Sequence, residues 1–152
     1  MSRKRKEQRL MTAKEMRAAV GRLREHLRLA LEARVRGAEN DYNAWVLFIH
    51  TDIEVDGPRL FRTYDQAIGR LRQNVPEEVW ARVGRVEGDR LVKYPGRFEE
   101  WPEIRDRMGP DEPILHAGVR YYQLVEEAQP FLADVTQADA WLRSEEPKPD
   151  QN

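Results

Sequence analysis

The chain has no cysteine, only three histidines and two serines among 152 residues, and no apolar run approaching the ~20 residues of a membrane span. Without cysteine, disulfides, thiolate metal sites and thiol nucleophiles are excluded. His26, His50 and His116 would have to pair with Ser2 or Ser144 to make a serine triad. Both serines fall in segments expected to be tails, so that chemistry has no support. There is no G-x-x-x-x-G-K loop and no G-x-G-x-x-G turn, which removes the two glycine-rich ways of cradling phosphate. No cofactor is expected. The basic start does not read as a signal peptide, because charges interrupt its first apolar residues. These absences together describe a soluble, cytoplasmic chain with no membrane partner.

Charge is present in abundance and is unevenly placed. Residues 1–40 hold 12 Lys/Arg against 5 Asp/Glu, residues 41–97 hold 9 against 9, and residues 98–152 hold 5 against 13. The chain therefore runs from +7 through 0 to −8, which adds to the overall −1. Such a gradient suits a polyanion-binding front half, a partner of mixed charge, or docking of the basic start on the acidic end. Within the basic start, Arg3, Lys4, Arg5, Lys6 and Arg9 form a flexible arm over residues 1–11 that could reach phosphates.

Thr12 to Arg36 is the clearest helix. Thr12 and Glu15 spell a capping box, and Gly37 supplies the stop. At 100° per residue, Ala13, Met16, Ala19, Val20, Leu23, Leu27, Ala30 and Leu31 share a stripe about 120° wide, the width of a core-facing surface. His26 sits at the edge of that stripe, as a boundary residue. Beside it, Lys14, Arg17, Arg24 and Arg28 make a basic ridge about 21 Å long at 1.5 Å per residue, which could track a phosphate backbone.

Ala44 to Val55 reads as a central strand. Its first half, Ala44-Trp45-Val46-Leu47-Phe48-Ile49, is continuously apolar; its second alternates Thr51, Ile53 and Val55 with His50, Asp52, Glu54 and Asp56. Asp56-Gly57-Pro58 is a turn signal before Arg59 to Arg62, and the T-x-x-Q box at Thr63 and Gln66 is expected to open a helix from Tyr64 to about Asn74. Val79 to Val86 and Arg90 to Tyr94, joined at Glu87-Gly88-Asp89, read as a second hairpin in which either side could be the buried one; a face bearing Trp80, Arg82 and Tyr94 would suit contacts, although a tryptophan in a strand is more often core.

After Pro95 the chain becomes acidic and proline-punctuated. A short helix is expected over Pro102 to Met108. A further helix after Pro113 would turn Ile114, Ala117, Gly118, Tyr121, Leu124, Val125 and Ala128 inward and His116 to the wet side. Pro130 is expected to break that helix, and Thr136 with Asp139 to cap a last one carrying Trp141 and Leu142. Residues 144–152 are expected to be a disordered tail.

The sequence thus predicts an α+β fold: one domain over residues 12–143, with a long N-terminal helix on a small, mostly antiparallel ββαββ sheet. Its chemistry favours a small non-catalytic regulatory protein, an adaptor or inhibitor acting on a larger protein partner, with 21 Arg against 5 Lys and four tryptophans as interface material. A nucleic-acid-associated protein using the arm and the ridge is the second reading. The third is a metal-dependent hydrolase using the His50, Asp52, Glu54 and Asp56 face, whose side chains on a strand would repeat every ~6.7 Å.

Overall fold

In the computed structural model, residues 9–83, 86–87, 90–91, 98 and 101–145 are described, with side chains over 9–81, at 98 and over 101–133. The elements are α1 (Ala13–Arg36), α2 (Glu39–Asn74), α3 (Glu77–Val83), β1 (Val86–Glu87), β2 (Arg90–Leu91), α4 (Pro102–Arg105), a 3₁₀ turn (Gly109–Asp111) and α5 (Glu112–Glu145). The arm at 1–8, Tyr94 and the tail at 146–152 lie outside the described residues.

The α1 boundaries follow from local chemistry. The Thr12 side chain accepts from the Glu15 amide at 3.1 Å, and Glu15 accepts from the Thr12 amide at 2.9 Å, which closes the capping box. At the other end Gly37 is left-handed at φ 72°; its amide donates to the Arg34 carbonyl and the next amide, of Ala38, to the Ala33 carbonyl. That pair of bonds is a Schellman stop, and it reverses the chain in two residues so that α2 returns antiparallel along α1.

α2 is one helix of 36 residues, about 54 Å long at 1.5 Å per residue. It overturns the expected strand, the Asp56-Gly57-Pro58 turn and the helix start at Thr63 together. Val46, Ile49, Gly57, Leu60, Tyr64, Ala67 and Leu71 are buried, with Ile53 partly so, and their spacing in threes and fours carries one inward face along the helix. The alternation of Thr51, Ile53 and Val55 is local and loses to that longer period: Val55 is 65% exposed. Pro58 lies inside the helix on its exposed side. An interior proline costs roughly 3 kcal/mol, while each fully buried aliphatic or aromatic side chain on the inner face is worth about 1.5–3 kcal/mol, so packing wins. Thr63, expected as a cap, is buried mid-helix; its hydroxyl donates to the Arg59 carbonyl and accepts the Met11 amide, tying the entry of α1 to α2.

α5 packs antiparallel to α2, with Tyr64 beside Gly118, Phe61 against the rings of Tyr121 and Tyr122, and Tyr42 against Phe131. α1, α2 and α5 therefore touch pairwise around one core, a three-helix bundle. Trp80, Phe98, Ile104 and Met108 join the same core, and Arg70 clamps Asp111 through two bonds of 2.7 and 3.1 Å. α5 also runs through Pro130 and Thr136, so the expected break and new cap do not occur.

The α+β expectation is thus corrected to an all-α fold. Val79 to Val83, expected in a strand, belongs to α3. The only β pairing among the described residues is a two-rung antiparallel ribbon, Val86 with Leu91 and Glu87 with Arg90, and it builds no sheet beneath α1.

Candidate protein-binding surface

The two-residue α1–α2 turn brings the last turn of α1 alongside the first turns of α2, and α5 passes behind. A cavity of about 330 Å³ opens there, lined by Ala33, Arg34, Gly37, Ala38, Glu39 and Tyr42. The Arg34 guanidinium lies 5.2 Å from the Tyr42 ring centre and 4.7 Å from that of Phe131, and its Nη2 donates to the Tyr42 hydroxyl at 2.8 Å. A cation held over two rings is a preorganised contact group, because little rotamer freedom is left to lose on binding. Within a turn of helix stand Leu31, 52% exposed, and Val35, 80% exposed. The surface offers shape, an aromatic face, one fixed cation and, on the outer side of α1, two exposed aliphatic side chains, the ingredients of a protein contact.

Leu31 had been expected in the core-facing stripe and is on the outside. His26, at the stripe's other margin, is packed: it bonds Asp52 through Nδ1 and rests against the rings of both Trp45 and Phe48, at 5.6 and 5.3 Å. Burial pushes the Asp52 carboxyl up from its ordinary range, against the hydrogen bond and charge of His26, which pull it down. The buried Tyr121 hydroxyl donates to the Asp52 carbonyl at 3.4 Å; burial, then the charges of Asp56 and Asp52, push that phenol upward and keep it neutral. Asp56 receives Arg22 at 2.9 Å.

The proposed metal face therefore does not exist as a face. On a helix, residues two apart diverge by about 200°. Asp52 and Asp56 pair with α1, while His50 pairs with Glu54 at 3.1 Å. Among the described residues no group of three His, Asp or Glu could hold a metal ion.

The basic ridge is present on α1. Lys14, Arg17, Arg24 and Arg28 are all exposed. Arg28 is engaged by Glu25 and, at 3.1 Å, by Glu32, whereas no hydrogen bond or salt bridge holds Lys14, Arg17 or Arg24 among the described residues. Arg9 pairs with Glu15 at 3.6 Å and gives its carbonyl to Arg59 at 2.8 Å. Arg3, Lys4, Arg5 and Lys6 lie outside the described residues, as does the Arg82 side chain. Trp80, a candidate for either a contact face or the core, is 2% exposed in the core, with Arg72 5.9 Å from its ring centre. No described helix is long and apolar enough to cross a membrane.

Comparison with protein-family models, curated proteins and solved structures finds no match for this chain. What defines it is its own architecture, an all-α bundle with a cavity at one helix turn. Arg34, Val35 and Tyr42 did not stand out in the sequence as site residues. The available signal was the Gly37 stop, which fixes the turn and so brings the residues before and after it together.

Proposed function

We propose that this chain is a small non-catalytic regulatory protein that acts through protein–protein contacts, with the α1–α2 turn as the contact face. The observation that carries the reading is the turn cavity, walled by the Arg34–Tyr42 pair, with Leu31 and Val35 exposed on the outer side of the same end of α1. A larger protein partner would place a side chain in the cavity and cover the two aliphatic residues, with Arg34 and Tyr42 as the anchors. The cysteine-free composition suits action in the cytoplasm. The test is affinity capture from native lysate with the wild type beside Leu31→Glu/Val35→Glu, with and without nuclease. A partner held by the wild type, lost by the variant and indifferent to nuclease supports the reading; capture unchanged by the variant overturns it.

A second reading rests on Lys14, Arg17 and Arg24, which lie along about 15 Å of one helix face without a salt bridge among the described residues. If these three cations meet three phosphates of duplex DNA, the logarithm of the binding constant falls with that of salt at a slope near −2.7. Arg17→Glu with Arg24→Glu would remove most of that slope and the retention with it. Equal retention of wild type and variant on immobilised duplex at low salt rejects this reading.

A further inference from the structure

The basic ridge of α1 has a glycine at its centre. Lys14, Arg17, Gly21, Arg24 and Arg28 fall within about 80° of arc at 100° per residue, with Arg17 and Arg24 about one helical turn to either side of Gly21. Nothing in the fold asks for glycine there. Gly37 and Gly109 take a positive φ and Gly118 admits the Tyr64 ring, but Gly21 has neither a positive φ nor any atom within 4 Å of a Cβ built on it. Glycine is also the poorest helix former after proline, so α1 carries a weak residue at mid-length without a gain in packing. Gly69 of α2 is equally open, yet the cation a turn beyond it, Arg72, pairs with Glu77 at 3.5 Å. Around Gly21 the cations are different. Lys14, Arg17 and Arg24 hold no hydrogen bond or salt bridge among the described residues, and Glu25, the acid one turn away, is itself engaged by Arg28.

Resting on the nucleic-acid reading of this ridge, we propose that Gly21 is the floor of a saddle across which the phosphate backbone of a duplex lies, gripped by Arg17 on one side and Arg24 on the other, with Lys14 continuing the track. Phosphodiester charge complements three cations that have no acid of their own. The missing side chain lets the strand come against the helix main chain, which is the use glycine has wherever a ligand approaches backbone closely. With the strand seated that near, the two guanidinium groups meet phosphate oxygens from both flanks, the paired N–H geometry for which arginine suits phosphate. No aromatic side chain stands on the ridge, so the bases of a single strand find no stacking platform and a duplex is the better fit. Contacts to phosphate fix position and carry no sequence information, so binding at the saddle is indifferent to base sequence.

Fluorescence anisotropy of a labelled duplex of about 20 base pairs, titrated with the full chain at about 20 to 200 mM salt, tests this directly. Gly21→Leu should weaken binding at least about tenfold, because the new side chain stands where the strand lies. Its melting temperature should stay at or above that of the wild type, since leucine is the better helix former and nothing crowds its Cβ. Gly21→Ala, with a single methyl group, should fall between the two in affinity. Gly69→Leu, the same exchange on α2, should bind as the wild type does. If the wild type fails to bind, or Arg17→Glu/Arg24→Glu binds as tightly, the nucleic-acid reading falls and the saddle with it. If that charge variant loses binding while Gly21→Leu keeps it, the ridge still binds nucleic acid and the saddle is refuted. Tighter binding of the wild type to vesicles containing phosphatidylserine than to the duplex would also overturn the proposal, by giving the ridge to a lipid surface.

Discussion

Replacing Gly118 by alanine should destabilise this protein, although helix propensity alone says the opposite. Gly118 is buried in α5, and an alanine there gains up to about 1 kcal/mol over glycine from propensity and lower unfolded-state entropy. The structure leaves no room for the methyl group. A Cβ on Gly118 falls 2.0 Å from Tyr64 Cδ1, 2.5 Å from Cγ and 2.7 Å from Cε1, whereas non-bonded carbons rest at about 3.5–4.0 Å. The Tyr64 ring is fully buried and meets Tyr122 edge-on at 5.6 Å, so it has no open side to which it can yield by roughly 1.5 Å. Overpacking of this kind costs about 1–3 kcal/mol and occasionally more. Set against the propensity gain, a net loss of about 1–2 kcal/mol follows, which at this chain length lowers the melting temperature by roughly 2–8 °C.

Urea and thermal unfolding of Gly118→Ala beside Gly21→Ala and Gly69→Ala makes the comparison internal. The latter two are also helical glycines, but nothing lies within 4 Å of a Cβ at either. Both should stabilise by about 0.5–1 kcal/mol. Tyr64→Leu opens the space, so its cost and that of Gly118→Ala should combine to less than their sum, with a coupling of about 0.5–3 kcal/mol. A Gly118→Ala protein as stable as the Gly21→Ala protein, or strictly additive losses, would refute the close packing of α2 on α5.

Three further outcomes follow from other contacts. His26→Phe keeps a ring against Trp45 and Phe48 but leaves the Asp52 carboxylate buried without its partner, at a cost near pH 7 of about 1–3 kcal/mol. Because burial raises the folded-state pKa of Asp52 above its unfolded value, the folded form holds the extra proton; the variant should regain stability as pH falls through that raised value, and melting curves from pH 8 to 4 would show it. Thr12→Ala removes one half of the capping box and should cost about 1 kcal/mol. The backbone amide of residue 12, which holds the Glu15 carboxyl low first, survives in the variant, but the smaller pull of the Thr12 hydroxyl is lost, so the Glu15 carbon resonance should titrate at slightly higher pH than in the wild type. The Trp80 indole nitrogen is buried with no acceptor among the described residues. Trp80→Phe removes that unpaired donor, worth about 1–3 kcal/mol. Chemical denaturation should therefore find it much less costly than the ~3–5 kcal/mol of a Trp→Ala truncation.

The α1 helix was legible because its signals are local and agree with one another. Thr12, Glu15 and Gly37 mark its ends, and Met16, Ala19, Leu23, Leu27 and Ala30 share one buried side. Periodicity gives the width of that side, but not which margin a neighbour covers. His26 and Leu31 lie about 60° and 80° from Leu23 in opposite directions; α2 packs over the first and leaves the second bare. The α2 helix was misread because its β-branched residues, short alternation and Asp56-Gly57-Pro58 all argue locally for strand and turn. The correct period was nevertheless present from Val46 to Leu71, and Asp52, inside that inward arc, marked the place where a buried partner such as His26 had to be. The turn surface was the least legible part, since Arg34, Tyr42 and Phe131 meet only once the bundle closes.

Pro58 has a consequence for how α2 comes into being as well as for how it ends. A helix is hard to start and easy to extend, and proline, whose backbone angle is already helical and whose missing amide is not needed there, is a favoured first-turn residue. Within one 36-residue helix, Pro58 therefore marks a second starting point. Pro58 has no amide to give to the Glu54 carbonyl, so the inward faces on either side of Gly57-Pro58, seated on α1 and α5, offset what the helix itself loses there.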